Sequence, residues 1–180
     1  MFKQWFIALV IGIPGLAMAD SYSHDYGSRD DGSHARSSKV AIPSNPLYQT
    51  ECGSCHFAFQ ANLLPSASWK KMMLPSSLAN HFGDNTELAE KDRQDILAYL
   101  VTNAADKAGA LLRYPRSEAP LRITALPYFR KEHREIPRRM VQDNPGVRSL
   151  SNCLACHTDA AEGLYRERNI RIPNYGRWDD

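Results

Sequence analysis

Two short motifs carry the chemistry that this sequence offers. Residues 52–56 read CGSCH, and residues 153–157 read CLACH. The two motifs contain all four cysteines of the 180-residue chain, and a histidine directly follows each cysteine pair. Cysteines at this spacing can form a redox dithiol, hold zinc or attach a haem, and pairing between them would give disulfides.

Covalent haem attachment is the chemistry that requires this order of residues. Two thiols on one turn can add to the two vinyl groups of a haem, and the adjacent imidazole becomes a proximal iron ligand. A zinc ribbon expects roughly 15–20 residues between its cysteine pairs, and a redox dithiol expects a βαβ context. Disulfides usually close longer loops. We therefore predict two haem c groups, held by Cys52, Cys55 and His56 in one motif and by Cys153, Cys156 and His157 in the other.

Each iron needs a sixth ligand, and two further histidines are candidates. His81 lies 25 residues after His56, and His133 lies 24 residues before His157. The simplest assignment gives each haem the additional histidine of its own half, although an exchange between the two haems stays open. The competing methionine ligands are Met72, Met73 and Met140.

Filling both axial positions with protein ligands limits what the irons can do. Peroxide, oxygen and nitrite find no open coordination position, whereas outer-sphere electron transfer proceeds without any change of ligand. We therefore predict an electron carrier and not an enzyme. The alternative function is that of a dihaem peroxidase-like enzyme with one labile distal histidine.

The N-terminal residues predict export. Residues 1–19 are typical of a secretory signal peptide, since Lys3 precedes an apolar stretch from Trp5 to Leu16 that ends in small residues. A retained membrane anchor is the alternative, but the stretch is shorter than the roughly 20 residues of a membrane span. Residues 20–39 are rich in Ser, Gly and Asp, which predicts a flexible leader. We expect an exported mature protein that is soluble.

The overall charge excludes one class of partner. The chain has 22 basic and 20 acidic side chains, which give a formal net charge of +2. Proteins that bind nucleic acid usually carry a strong basic excess, because they neutralise phosphates. The sequence therefore gives no electrostatic support for nucleic-acid binding.

Local patterns in the first half, residues 40–108, predict two helices. Thr50 would cap a helix that carries the first motif. A longer helix would be capped by Asn85 or Thr86, since acidic residues near its start suit the helix dipole. Its apolar face recurs at helical spacing, through Ile96, Leu97, Leu100, Val101 and Ala104.

The second half, residues 109–180, also reads as helical. Residues 128–136 predict a short helix that Pro137 ends. Its inward face would hold Phe129, His133 and Ile136. The second motif would open a further helix, capped by Ser149 or Ser151 and ended by Gly163. No stretch shows the alternation expected of a strand.

The motifs and their surroundings resemble the dihaem cytochrome c family of the bacterial periplasm. The similarity is carried by YQTECGSCHFAFQANLLPSASW, HFGDNTEL and ILAYL, and later by RITALPYFRKEHREIP, VRSLSNCLACHT and RNIRIP. The resemblance implies a mainly α fold with two small c-type haem domains, of which the N-terminal one is similar to class I cytochrome c. It also implies bis-histidine ligation, with His81 and His133 as the distal ligands.

The resemblance further implies a place in an electron-transfer chain. A membrane cytochrome of the b type, or another quinol-linked protein, would donate electrons. A small high-spin monohaem cytochrome c that binds oxygen, or another periplasmic redox protein, would accept them. These partners are expectations from the family and do not follow from any residue pattern.

Overall fold

The computed structural model describes residues 43–107 and 119–178, which contain six α-helices and one small hairpin. The helices are α1 (Pro46–Gly53), α2 (Ser66–Met72), α3 (Pro75–Leu78), α4 (Glu90–Thr102), α5 (Pro127–Glu132) and α6 (Arg138–Val141). Short 3-10 helices cover Ala61–Leu63, Ile123–Ala125, Cys153–Ala155, Ala160–Glu162 and Glu167–Asn169. Strands β1 (Arg171–Ile172) and β2 (Gly176–Arg177) pair antiparallel. The predicted helix-rich fold class is confirmed.

Helix α1 begins earlier than the sequence predicts. The Asn45 side chain accepts a hydrogen bond from the Tyr48 backbone N–H at 2.8 Å. Pro46 occupies the first helical turn, where the missing N–H leaves no hydrogen bond unmade. The predicted cap at Thr50 is therefore wrong, because Thr50 lies within the helix. Since α1 ends at Gly53, the first motif straddles its C-terminus.

Helix α4 supplies the core of the first half. It begins at Glu90, so the predicted caps are wrong: Asn85 instead closes a local turn by accepting from the Glu87 N–H at 3.0 Å. The predicted apolar face is confirmed where α4 packs against α2, since Ile96 and Leu100 are almost fully buried. Burial of an aliphatic side chain of this size contributes about 1.5–3 kcal/mol.

Helix α5 ends sooner than predicted. The last helical residue is Glu132, and His133 has already left the helix with φ −109° and ψ 4°. A residue that precedes proline is biased towards extended backbone, so Ile136 before Pro137 is poorly suited to helix. The early end of α5 places His133 as its C-cap.

The second motif lies in tight turns and not in an α-helix. Cys153–Ala155 forms one 3-10 turn, and a second one, Ala160–Glu162, ends at Gly163 with φ +74°. The prediction of one continuous helix from the second motif to Gly163 is therefore wrong, although Gly163 does end a helical turn. The β1–β2 hairpin was not predicted. Its backbone joins the motif, because the Arg171 N–H donates to the Cys156 carbonyl at 3.0 Å.

Several predictions fall wholly or partly outside the described ranges. The signal peptide (1–19) and the leader (20–39) lie there completely. The predicted boundary between haem domains, at residues 108 and 109, lies there too, so the division into two domains stays a prediction. Within residues 43–107 and 119–178, no helix combines the length and the apolar character that crossing a bilayer requires.

Candidate functional site

The first cysteine pair lies at the end of α1. A first hydrophobic cluster forms around Trp69, Ile96 and Leu100. Cys52 is half-buried against this cluster, whereas Cys55, beyond the helix, is exposed. Burial, reinforced by the nearby Glu51 carboxylate, raises the pKa of Cys52 to about 11. The thiols of this motif therefore differ in their surroundings while staying within one turn of each other.

The second cysteine pair is held by a 3-10 turn. The Cys156 and His157 N–H groups both donate to the Cys153 carbonyl, at 3.2 and 2.8 Å. Burial raises the pKa of Cys153 to about 11 and also raises that of Cys156. None of the four cysteines is joined to another in a disulfide. Redox dithiols need a depressed thiol pKa, so this arrangement does not favour thioredoxin-like chemistry.

His56 and His81 come together in the first half. Their ring centroids are 6.2 Å apart and their planes are inclined by 22°. A tight turn presents His81, since its backbone exchanges two hydrogen bonds with Asp84, of 2.7 and 3.2 Å. The turn residues Phe82 and Gly83 both have positive φ, at 57° and 115°. The predicted pairing of His81 with His56 is thus the one that this geometry favours.

His133 and His157 come together in the second half. Their ring centroids are 6.1 Å apart, with an interplanar angle of 64°. The Nδ1 of His133 lies 2.8 Å from the Phe129 carbonyl, one helical turn earlier, and the Phe129 ring stacks on the imidazole at 3.9 Å. The predicted face is confirmed for Phe129 and His133, and their contact orients this imidazole towards His157. It is wrong for Ile136, which lies beyond the end of α5 and packs with other hydrophobic residues.

The separation of the rings fits one iron between each pair. A metal–imidazole bond is about 2 Å long. With each ring nitrogen about 1 Å from its centroid, two imidazoles on opposite sides of a metal have centroids roughly 6 Å apart. Across residues 43–107 and 119–178, no three His, Cys, Asp or Glu side chains converge as a metal site. A haem needs only two protein ligands, because the porphyrin supplies the others.

Protonation of the histidines also suits ligation. Burial lowers the pKa of His81, and the neighbouring His56 and Arg122 lower it further while Asp84 opposes them. Burial and the neighbouring His133 lower the pKa of His157. Iron is bound by the neutral imidazole, so both shifts favour the binding form. The buried Nδ1 atoms of His81 and His157 have no hydrogen-bond partner among the described residues. Most buried polar atoms in folded proteins have one.

The competing methionines lie in the hydrophobic clusters. Met72 and Met73 are 8% and 3% exposed within the first cluster. Met140 is half-buried beside a second cluster, which consists of Val141, Val147 and Ile172. The structure therefore brings together the predicted histidines and packs the competing methionines against hydrophobic side chains.

The structure adds two aromatic neighbours to the histidine pairs. Phe59 lies 5.2 Å from His56, and Tyr165 lies 5.4 Å from His157, between ring centroids. Phe59 follows the first motif closely, and its proximity can be inferred from the sequence. Tyr165 has no such signal, because the 3-10 turn Ala160–Glu162 separates it from His157 and no periodic pattern links them. Trp69 lies in the core, where its Nε1 donates to the Ala61 carbonyl at 2.7 Å.

Comparison with known proteins places these features in a family. The sequence profile described as dihaem cytochrome c matches residues 48–165. The chain is similar to the crystal structure of a dihaem cytochrome c from Shewanella baltica OS155, with 45% identity and a TM-score of 0.65; the alignment covers 77% of this chain and all of the other. No curated protein sequence matched.

Two structures from Rhodobacter sphaeroides give the same result. Both are described as dihaem cytochrome c, and each is 44% identical to this chain. The alignments cover 69% of this chain and 99% of the other, with TM-scores of 0.58 and 0.62.

Proposed function

The chain belongs to the dihaem cytochrome c family, and we propose that it carries electrons in the periplasm between a membrane donor and a small haem protein. Family membership gives the protein two covalently attached haem c groups with iron, and a role in electron transport. The finer statements, which concern the ligands, the partners and the compartment, are our proposal.

The proposed attachment and ligation follow the two motifs. Thioether bonds would link the first haem to Cys52 and Cys55 and the second haem to Cys153 and Cys156. The axial ligands would be the pairs His56/His81 and His133/His157. The single observation that carries this assignment is the ring separation of 6.2 and 6.1 Å within the two pairs. When bound, each haem supplies a one-electron couple between ferric and ferrous iron.

The protein's own contribution is to keep the axial imidazoles in place during that change. His133 is fixed by stacking on Phe129 and by the contact of its Nδ1 with the Phe129 carbonyl. His81 is fixed by the closed turn with Asp84. Ligands held in this way do not move far when the charge on iron changes, so little reorganisation opposes electron transfer. Such closed sites favour the carrier over the peroxidase-like alternative.

A variant of one distal histidine tests the ligand assignment. His81→Ala should convert one of the two haems from low spin to high spin and leave the other unchanged, as read by absorption and electron paramagnetic resonance. His133→Ala should do the same to the other haem. His24→Ala and His34→Ala, in the leader, are the matched controls and should change neither. Two low-spin haems in His81→Ala would overturn the assignment.

Half-reduction separates the carrier from the enzyme. A peroxidase-like protein would develop a high-spin ferric signal and turn over peroxide after one haem is reduced. The proposed carrier should remain low spin in both haems and leave peroxide unconsumed. Absorption spectra of the oxidised protein, recorded in the same titration, should lack the charge-transfer band that methionine gives when it is an axial ligand of iron. The presence of that band would show that a methionine takes the place of one of the distal histidines.

The proposed partners are a membrane b-type cytochrome or quinol-linked donor and a small high-spin monohaem cytochrome c as acceptor. Basic residues near His133 support a docking role, because Arg138 and Arg139 on α6 are exposed. Two neighbouring cations, Lys131 and Arg134, are already paired with adjacent glutamates at 3.5 and 3.2 Å.

Charge reversal tests this docking surface. Changing Arg138 and Arg139 to Glu should slow transfer to the acceptor about tenfold at low ionic strength and less at high salt. The same reversal at Lys70 and Lys71, two exposed cations of α2, is the control. Equal rates for both double variants would remove the docking role of α6.

Export to the periplasm rests on residues 1–19. Mass spectrometry of the mature holoprotein should give an N-terminus at Asp20 and two haem masses. A protein that retains residues 1–19 and sediments with membranes would instead support the anchor.

A further inference from the structure

One glutamine side chain joins the segments that follow the two motifs. Gln60 lies four residues after His56, yet its Nε2 donates to the Ala160 carbonyl at 2.6 Å. The Tyr165 hydroxyl donates to Gln60 Oε1 at 2.5 Å. Both ends of a single amide are therefore bonded to the segment that follows His157, across about a hundred positions of sequence.

Tyr165 extends this connection to the second histidine pair. Its ring meets the His157 ring edge to face, with centroids 5.4 Å apart and planes inclined by 67°. The tyrosine is half-buried, and its hydroxyl and its ring make separate contacts. The Tyr165 side chain thus contacts Gln60, which follows the first motif, through its hydroxyl, and the His157 imidazole of the second motif through its ring. We call the pair Gln60 and Tyr165 the bridge.

The turn that follows the second motif packs closely against the Gln60 side chain. The 3-10 turn Ala160–Glu162 ends at Gly163 in the left-handed region, with φ +74°. A Cβ at Gly163 would lie 3.6 Å from Gln60 Cγ, so the glutamine stem packs directly across this residue. Ala160 is fully buried, and its carbonyl also accepts the Gly163 N–H at 2.9 Å. Stem packing and both amide hydrogen bonds fix the Gln60 side chain at once.

We infer that Gln60 and Tyr165 are positioning residues that couple the two haem sites, because they hold the His157 imidazole from the segment that carries the first haem. The inference rests on the proposed function. It assigns no ligand to either residue. Its consequence is that a change at Gln60, in the first segment, alters the second haem.

A double-variant cycle on the holoprotein tests the bridge. Tyr165→Phe removes the hydroxyl and keeps the ring against His157, whereas Gln60→Leu removes both amide hydrogen bonds. The readout is the set of haem methyl resonances, each assigned to its haem through contacts with the cysteine β protons. We expect Gln60→Leu to move the second haem's resonances and to slow electron exchange between the haems several-fold. The double variant should be no worse than the stronger single one, because the bridge acts as a unit.

Matched controls keep the test specific. Gln49→Leu changes an exposed glutamine on α1, and Tyr175→Phe removes an exposed hydroxyl that donates to the Arg139 carbonyl. Both should leave the haem resonances in place. The inference is overturned if Gln60→Leu moves only the first haem's resonances, or if the two single effects add. Fewer than two haems per wild-type chain would overturn the proposed function instead, and this is measured first on the same samples.

Discussion

The imidazole rings of His56 and His81 face each other at 6.2 Å and are inclined by only 22°. In the second pair, the rings of His133 and His157 are equally close, at 6.1 Å, but are inclined by 64°. The two pairs therefore differ in orientation and hardly at all in distance. Local structure explains the difference, because a tight turn presents His81 whereas the end of α5 presents His133.

The difference in ring orientation predicts two distinct paramagnetic signals. An imidazole donates π density to iron perpendicular to its own plane, so near-parallel rings separate two iron d orbitals that strongly inclined rings leave close in energy. With the proposed pairs His56/His81 and His133/His157 as axial ligands, the first haem should give a rhombic low-spin signal, and the second a more anisotropic one with a larger maximum g value. Low-temperature electron paramagnetic resonance of the oxidised protein measures both. Two identical rhombic signals would contradict the ring angles.

The turn that presents His81 predicts a contrast between two glycine substitutions. Gly83 has φ +115° and no atom near the position of a Cβ, so Gly83→Ala suffers only backbone strain. We expect a loss of about 1–2 kcal/mol of unfolding free energy. Gly53→Ala should be neutral or stabilising by up to about 1 kcal/mol, since Gly53 ends α1 and its Cβ would lie 3.8 Å from Ala58 Cβ.

Denaturant unfolding of the holoprotein gives both values. Gly83→Ala should in addition show a partly high-spin first haem, since the strain acts two residues from His81. Equal stabilities for the two variants would show that the turn relaxes without strain.

The sequence predicts the chemistry of this protein well, and it predicts the boundaries of the helices and turns less well. The order of residues in each CxxCH motif is set by bonding within five residues, so it can be read without a fold. Ile96 and Leu100 lie one helical turn apart in α4, and Leu97 and Val101 repeat that spacing, which is enough to define a helix face. In contrast, Thr50 and Asn45 are both good caps, and only the position of Pro46 favours the earlier start.

Contacts between distant segments leave little mark on a single sequence. The strands β1 and β2 are two residues each, too short for any alternation to be recognised. The hydrogen bond between Tyr165 and Gln60 spans 105 positions, and neither residue belongs to a CxxCH motif. These features depend on how the segments pack, which composition and periodicity do not encode.

Asn144 is a buried polar centre of the second half, and its removal should be costly. It is 2% exposed, and its Nδ2 donates to the Pro173 and Met140 carbonyls at 2.7 and 3.2 Å. Its Oδ1 accepts from the Gly146 N–H at 3.0 Å and from Asn174 at 3.1 Å. Since each hydrogen bond contributes about 0.5–1.5 kcal/mol net, Asn144→Ala should cost about 3 kcal/mol.

A second asparagine provides the control for this prediction. The Asn103 side chain donates only one described hydrogen bond, to the Tyr99 carbonyl at 2.8 Å, so Asn103→Ala should cost about 1 kcal/mol. Urea unfolding followed by far-ultraviolet circular dichroism compares them. If the two losses are equal, Asn144 does not hold the hairpin as its contacts indicate.

Asp106 should stabilise the protein in a pH-dependent manner, because it caps α2 from 40 positions away. Its Oδ1 accepts from the Ser66 N–H at 2.6 Å, and its Oδ2 accepts from the Ser66 hydroxyl at 2.7 Å. Although desolvation acts to raise the pKa of Asp106, these hydrogen bonds outweigh it and lower the pKa below its ordinary value. A carboxylate with a lowered folded pKa contributes stability above its unfolded pKa, and the contribution is lost as pH falls through the folded value.

Asp106→Ala should therefore cost about 1 kcal/mol at pH 7, as expected for a lost helix cap, and progressively less below about pH 4. Asp143→Ala, which removes another exposed carboxylate, should cost little at either pH. The measurement is the difference in unfolding free energy between each variant and the wild type, taken at several pH values so that acid effects shared by all three proteins cancel. A constant difference for Asp106→Ala between pH 7 and pH 3 would mean that the cap acts through packing and not through its charge.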